Sequence, residues 1–365
     1  MRRREFLKAG ATAGAGLAAS ALAAPAIAQS SPEIKWRLAS SFPKSLDTLH
    51  GASEILAKRI AEMTDNRFQV QVFAGGEIVP GLQVLDAIQA GTVEMSFTTG
   101  YYNWGKDTAF AFSTGIPFGL NARMMEAWYQ HGGGLELIQE LFANYNAHVI
   151  KMGDTGGQMG GWFRKEINTV DDLKGLKLRI GGFAGRIVSK LGVVPQQIAA
   201  GDVYPALEKG TLDAVEWIAP ADDEKLGFVK VAKYYYFPGW WEGGASGHCL
   251  VNMAKWNELP KHYQAIVTAA AHEAGSWFLA KYDHSNPAAL KRLIGQGAQL
   301  RGFSTDIMNA AYAATTEACN EEAEKNPRFK KLYESVKAFR KDAYQWWQVN
   351  ELSFDAYQVR QETRT

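Results

Sequence analysis

Residues 175–185 read GLKLRIGGFAG and residues 210–217 read GTLDAVEW. In the first stretch Leu178 and Ile180 alternate with Lys177 and Arg179, the period of two expected of a short half-buried strand. Gly181, Gly182 and Gly185 follow. They let the backbone turn sharply into FAGRIVSKLG, a helical pattern that Gly192 ends. Arg179 therefore stands at the carboxyl end of a strand and beside a helix amino terminus, where open α/β sheets bind ligands. A guanidinium there can grip a carboxylate through two parallel hydrogen bonds. It can equally be a solvated arginine on the polar face of a strand.

The second stretch belongs to a pattern written twice. Val84-x-x-Ala87-Ile88-x-x-Gly91-Thr92-Val93-Glu94-Met95 recurs 119 residues later as Val203-x-x-Ala206-Leu207-x-x-Gly210-Thr211-Leu212-Asp213-Ala214. Upstream, Lys35-Trp36-Arg37-Leu38 matches Lys177-Leu178-Arg179-Ile180 at an offset of 142. The difference of 23 residues between the offsets predicts a longer first helix in the early copy. Two short matches in the same order imply two similar βαβ lobes. The expected fold is α/β and two-lobed, with a ligand cleft between the carboxyl ends of two sheets and a hinge joining them.

Around this repeat the pattern predicts strands at 34–38, 68–73, 93–98 and 148–152, and helices at 49–63 and 82–90. Lobe one is assigned to residues 29–152 and lobe two to 153–248. The crossover is expected near Ala147 to Gly161 and the return near Gly247 to Met253. Residues 249–303 then hold the return strand to lobe one, a helix from Pro260 to about Leu293 and a short strand at 299–303. At 1.5 Å per residue that helix is about 50 Å long, enough to span both lobes, and Pro287 should bend it. Residues 304–365 form C-terminal helices. Leu332, Val336, Phe339, Tyr344 and Trp347 make a broad apolar stripe there, which reads as core or as the contact of a homodimer.

The amino terminus reads as a cleaved export signal rather than an uncleaved membrane anchor, because its apolar run is short and rich in Gly and Ala. Arg3-Arg4-Glu5-Phe6-Leu7-Lys8 resembles a twin-arginine motif, an alanine-rich run follows, and Ala26-Ile27-Ala28 supplies a cleavage site. Removing residues 1–28 leaves 35 basic and 37 acidic side chains. Such a balance offers no basic excess for nucleic acid or an anionic membrane. Cys249 and Cys319 cannot build a disulfide framework, and two separate buried thiols are expected.

Signatures of catalysis are missing. His272-Glu273 begins like a zinc-protease helix, but position 276 is Ser, and Ser246 lacks the glycine spacing of a nucleophile elbow. Seven histidines show no metal-ligand spacing. What remains is a polar set in lobe two: Gln158 within GQMGGW, Glu216-Trp217 at a strand end, and Glu242 after Trp240-Trp241. A carboxylate in apolar surroundings must be paired or bound to a cation. Two carboxylates, an amide oxygen and a backbone carbonyl suit a hard cation such as Na⁺ or Ca²⁺. Pairing of Glu216 and Glu242 with Lys or Arg would explain them as well.

The segment LKGLKLRI (173–180) followed by GTLDAVEW resembles the solute-binding proteins of TRAP (tripartite ATP-independent periplasmic) transporters, the DctP-like family, over essentially the whole mature chain. The Gln158 segment and Trp240-Trp241-Glu242 resemble the branch that binds 2-oxoacids such as pyruvate, or related 2-hydroxyacids, with a metal ion. The resemblance implies that Arg179 grips the substrate carboxylate. It implies that Gln158, Glu216, Trp217 (through its carbonyl) and Glu242 hold the cation, sodium or alternatively calcium, with Gln158 and Trp217 also lining the substrate site. Tyr101 is expected as a wall of the pocket. The function so implied is that of a periplasmic receptor, not an enzyme, delivering a small monocarboxylate to TRAP membrane permease subunits. Two alternatives are an exported metal-dependent lyase acting on small oxoacids, for which no general base is evident beyond the two carboxylates, and the ligand domain of a sensor.

Overall fold

A computed structural model describes residues 32–362 of the chain, so the export signal at 1–28 lies outside the described residues. Five strands form the first sheet: β1 (Ile34–Ser40), β2 (Phe68–Phe73), β3 (Met95–Thr98), β4 (Ala147–Asp154) and β10 (Ser246–Asn252). Their order is β2-β1-β3-β10-β4. Every residue of the central strands β3 and β10 is buried, which is why neither alternates. The second sheet is built from β5 (Gly161–Phe163), β6 (Lys177–Arg179), β7 (Val194–Gln196), β8 (Ala214–Val215), β9 (Tyr234–Phe237) and β11 (Gln299–Gly302). Its order is β11-β9-β5-β8-β6-β7.

The internal repeat is visible in this topology. β2-β1-β3 in one sheet corresponds to β7-β6-β8 in the other, and the β1·β3 and β6·β8 pairs are both parallel. Leu38 faces Met95, whereas Leu178 faces Ala214, a register two residues away from the strict sequence repeat. An even shift leaves every side chain on its own face, so the alternation survives it. The early copy is longer for two reasons. Its helix α1 (Leu49–Met63) has 15 residues against 7 in α2 (Ala184–Lys190). Most of the remaining difference lies in loops, above all the segment 74–83 after β2.

The chain passes from the first sheet to the second through residues 155–160 and returns through 238–245. A third connection is α3 (Lys261–Gly295), 35 residues long and continuous through Pro287. Its early turns pack on α1 and β4, and its later turns reach the helix Pro220–Leu226 beside the second sheet. There Tyr282 donates a 2.6 Å hydrogen bond to Asp222, and Arg292 forms a two-pronged pair with Glu224. The strand that follows, β11, pairs in parallel with β9 in the second sheet. β4 crosses α3 at Gly153 and Gly275, where the backbones are too close for any side chain. A Cβ on Gly153 would lie 2.7 Å from the Gly275 Cα, and one on Gly275 would lie 2.5 Å from the Gly153 nitrogen.

The tail departs from the expected single stripe. In α5 (Pro327–Val349) the first turns bury Phe329, Leu332 and Val336 within this chain's own core, where Phe329 meets Phe112 and Phe183. Tyr333, Phe339 and Trp347 are half-buried against the same core. Beneath α5 lies α4 (Thr305–Lys325), which packs on α2. Tyr344, Trp346 and Val349 are exposed, as are Leu352, Phe354, Tyr357 and Val359 of α6 (Glu351–Glu362). The apolar surface therefore divides near residue 340. The amino-terminal half is core and the remainder is surface.

The Gly153–Gly275 crossing gives a direct test. Alanine is normally preferred to glycine inside a helix by about 1 kcal/mol. Gly275→Ala should nevertheless destabilise the protein by about 1–3 kcal/mol, because its methyl meets backbone that cannot move aside. Gly295→Ala, with nothing within 4 Å of the added methyl, should be close to neutral in the same denaturant titration. Equal stability of the two variants would refute the crossing.

Candidate functional site

The strand ends bring the predicted residues together. Arg179 closes β6 and Glu216-Trp217 follow β8. Tyr101 lies in the short turn after β3, and Gln158 and Glu242 stand in the two segments that cross between the sheets. Arg179, Trp217 and Tyr101 line one small pocket with Phe42, Phe97 and Phe278. All six predicted residues are nearly inaccessible, from 1% exposure at Arg179 to 8% at Gln158. The solvated-strand reading of Arg179 is thereby ruled out. The alternation in β6 holds only at Lys177, since Leu178, Arg179 and Ile180 are all buried where the strand ends in the cleft.

Arg179 donates to the Glu216 carbonyl at 2.6 Å and stands 3.4 Å from its carboxylate. Its guanidinium stacks on the Trp217 ring at 4.3 Å. The Nε–H has no hydrogen-bond partner, so one donor of a buried cation remains available to a carboxylate. Tyr101 closes this region from the other sheet. Its ring lies so tightly on Gly181 and Gly182 that a Cβ on either would be 2.3 Å from it. That contact gives both glycines a reason beyond turning the chain.

Glu216 and Glu242 are buried carboxyls, and both are shifted upward. For Glu216 burial dominates, opposed by Arg179 and reinforced by Asp223, which raises the carboxyl from 4.5 to about 8. Burial likewise pushes Glu242 well above its usual range, with the charges of Glu216 and Asp154 adding to it against Arg179. Asp223 was not singled out in the sequence. It accepts from Trp162 at 2.9 Å and Tyr235 at 2.6 Å, and so is held as a fixed acid behind the site.

Thr155 was also missed, and it orients Gln158. Its hydroxyl accepts from the Gln158 amide nitrogen at 2.9 Å and from the backbone N–H of Ala245 at 2.9 Å. It thus ties the two crossing segments together and turns the amide oxygen of Gln158 the other way. That oxygen and Glu216 Oε1 are buried with no hydrogen-bond partner. Orphaned oxygens beside two strained carboxyls fit a hard cation. Among the described residues no group of three or more His, Cys, Asp or Glu could hold a metal. Only two carboxylates belong to this set, and the other predicted donors are an amide oxygen and a carbonyl. Nothing in the sequence around Thr155 marks it, because its partner Ala245 is 90 residues away.

The remaining candidates are structural. His148 stacks on Trp256 at 3.8 Å, and His248 is buried against the Tyr129 hydroxyl at 2.9 Å. Burial lowers these histidines to about 4 and about 3, respectively, so both stay neutral. Cys249 and Cys319 are free and buried, each pushed up to about 12.

Residues 39–326 match the model of DctP, the bacterial extracellular solute-binding proteins of family 7. The chain belongs to that family. It is a solute-binding protein and not an enzyme. A monocarboxylate 2-oxoacid-binding periplasmic protein of Nostoc sp. (strain PCC 7120) is 49% identical over 98% of this chain and 99% of its own. A TRAP solute-binding protein of Bordetella bronchiseptica RB50 superposes with a TM-score of 0.90 at 49% identity, covering 91% of this chain and 99% of that one. Its structure is a mixed-occupancy dimer, with a site binding co-purified calcium and picolinate and an apo site. A third relative, from Pseudoalteromonas atlantica T6c, has bound sodium and pyruvate. It superposes with a TM-score of 0.86 at 36% identity, covering 88% of this chain and 98% of that one. No helix among the described residues of this receptor is long and apolar enough to cross a membrane.

A cation held by these carboxyls would compete with protons. Between 4.5 and about 8 the folded protein keeps a proton on Glu216 that the unfolded chain has lost, so cation-free stability falls as pH rises through that window. A cation binds the deprotonated form and restores what is lost. The rise in melting temperature on adding calcium or sodium, at fixed ionic strength, should therefore grow from pH 5 toward about pH 8. A rise of the same size at every pH would remove Glu216 and Glu242 from the ligand set.

Proposed function

We propose that this protein is the periplasmic receptor of a TRAP transporter, capturing a small 2-oxo monocarboxylate such as pyruvate with a bound cation and delivering it to the permease subunits. The observation that carries the reading is the buried Arg179 with an unengaged Nε–H, set beside orphaned oxygens of Gln158 and Glu216. In this reading Arg179 pairs with the ligand carboxylate. Gln158, Glu216, the Trp217 carbonyl and Glu242 hold the cation, which supplies positive charge to the ligand's oxygens. Trp217 and Tyr101 exclude water from the pair. The aromatic lining of Phe42, Phe97 and Phe278 favours a short acid with an apolar end.

Charge balance supports calcium over sodium, reversing the order expected from the sequence. Two carboxylates and a bound monocarboxylate face one guanidinium, and a divalent ion neutralises the set in a site without solvent. In this reading the two sheets mark the two lobes, the first running to Asp154 and resuming at Ser246, two residues from the expected bounds at 152 and 248, and the crossing segments carry the hinge. Arg179→Met should weaken pyruvate binding by about 30- to 1000-fold, the loss of a charge-assisted two-pronged contact worth about 2–4 kcal/mol. Calorimetric titration in calcium reads this directly. A variant that keeps the native affinity would sink the assignment. Recovery of unaltered acid after incubation separates a receptor from the lyase alternative.

The exposed half of the tail fits a homodimer. Trp346, Val349, Leu352, Phe354, Tyr357 and Val359 are each more than half exposed, and burying such side chains contributes about 1.5–3 kcal/mol each. Arg123 pairs with Glu351, and Tyr344 donates to the Gly119 carbonyl at 3.0 Å, so the tail is held to its own chain by polar contacts while this apolar side faces solvent. The double variant Trp346→Glu with Phe354→Glu should sediment as a folded monomer where the native protein sediments as a dimer. A native protein that remains monomeric at high concentration would refute the contact.

A further inference from the structure

Between the two sheets, outside the ligand pocket, one side chain makes a bridge that nothing in the sequence announces. Gln197 follows β7 at the edge of the second sheet. Its amide oxygen accepts from the backbone N–H of Gly182 at 2.8 Å, and its amide nitrogen donates to the Tyr102 carbonyl at 3.1 Å. Gly182 belongs to the turn that starts three residues from Arg179. Tyr102 belongs to the turn after β3 in the first sheet and adjoins Tyr101, whose ring lies on Gly181 and Gly182. Gln197 is half-buried in an outer groove of about 420 Å³ and does not line the ligand pocket.

The chemistry of the two partners dictates the residue. An N–H can only donate and a carbonyl can only accept, so the bridging group needs one acceptor and one donor about two bonds apart. A carboxylate lacks the donor, an ammonium lacks the acceptor, and asparagine is one methylene shorter. The bond to Gly182 lies within the second sheet and holds the Gln197 amide in place, whereas the bond to Tyr102 exists only while the turn after β3 lies against the second sheet. Moving the sheets apart exposes the Gln197 amide nitrogen and the Tyr102 C=O to water and breaks the bridge. Pairing across the cleft thus stabilises the closed arrangement without touching the ligand.

We propose that Gln197 is a latch that sets how long the closed receptor holds its ligand. This rests on the receptor reading above. Opening must precede release, so losing the latch speeds dissociation. Capture by the open form does not use these bonds and keeps its rate.

The test is stopped-flow exchange of pyruvate in excess calcium on native protein and on Gln197→Ala and Gln197→Glu. Each variant should release pyruvate about 2- to 10-fold faster, the range for one solvent-exchanged hydrogen bond, with an association rate within about twofold of native. Gln197→Glu should release no more slowly than Gln197→Ala, because its second oxygen faces the Tyr102 carbonyl. The acceleration should be the same for 2-oxobutyrate, since the latch contacts neither acid, and the ligand-free melting temperature of Gln197→Glu, which keeps the acceptor for Gly182, should not change. Native release rates in both variants would overturn the latch while leaving the receptor reading intact. So would an acceleration that differs between the two acids, or one accompanied by slower association or, in Gln197→Glu, by a lower ligand-free melting temperature. If native protein binds neither acid, the receptor reading itself falls and takes the latch with it.

Discussion

The arrangement around Arg179 depends on one constraint: a guanidinium at 1% exposure must be compensated where water cannot reach it. Glu216 supplies a carbonyl at 2.6 Å and a carboxylate at 3.4 Å, and Trp217 supplies its ring face at 4.3 Å. This is incomplete compensation, because Nε is left without a partner and burial raises the Glu216 carboxyl. A buried pair of this kind contributes little to folding compared with the cost of breaking it. Its value lies in holding the Nε–H ready for a partner. A carboxylate and a cation bound here, as proposed, would complete a charge set that the protein's own groups leave unfinished.

The position of that set follows from topology. Parallel β1·β3 and β6·β8 pairs point their carboxyl ends at the same region, and the crossing segments 155–160 and 238–245 pass its base. Gln158 and Glu242 stand on those segments, so the groups proposed to hold a cation also join the sheets. Thr155 fastens one segment to the other through Ala245 and fixes the Gln158 amide by the same hydroxyl. Ligation and lobe geometry are therefore coupled through a few hydrogen bonds. Gln197 adds a second coupling at the mouth, where it depends on closure alone.

The long helix α3 supports both sides. Near its middle Gly275 lets β4 pass at backbone contact, and further on Tyr282 and Arg292 engage Asp222 and Glu224. Asp222 sits next to Asp223, which stands behind Glu216 and raises it. The helix thus fixes the acids that tune the site while bracing the first sheet. The tail completes the first core with Phe329, Leu332 and Val336, then leaves it and presents apolar side chains to solvent.

Period-two alternation at 177–180, the glycine stops and the repeated Val-x-x-Ala pattern were enough to place two βαβ units and to locate Arg179 at a strand end. Backbone geometry ties those signals to local structure, so they are legible one segment at a time. A carboxylate in an apolar context, as at Glu216 and Glu242, likewise stands out because burial of charge demands a reason. Thr155, Asp223 and Gln197 left no such mark. Their roles come from partners such as Ala245, Trp162 and Tyr102, which lie between 61 and 95 residues away. Nor did the tail's pattern reveal that Val336 is core and Trp346 surface, since periodicity shows that a face is apolar and not what covers it. Sequence by itself determined the repeated strands and helices, the long helix and the charged residues in need of partners, but not the helices Ala122–His131 and Gly134–Ala143 or the short strand Tyr234–Phe237. Only the tertiary structure decided which partners they have, because hydrogen bonds and packing between distant segments depend on distances that no local pattern encodes.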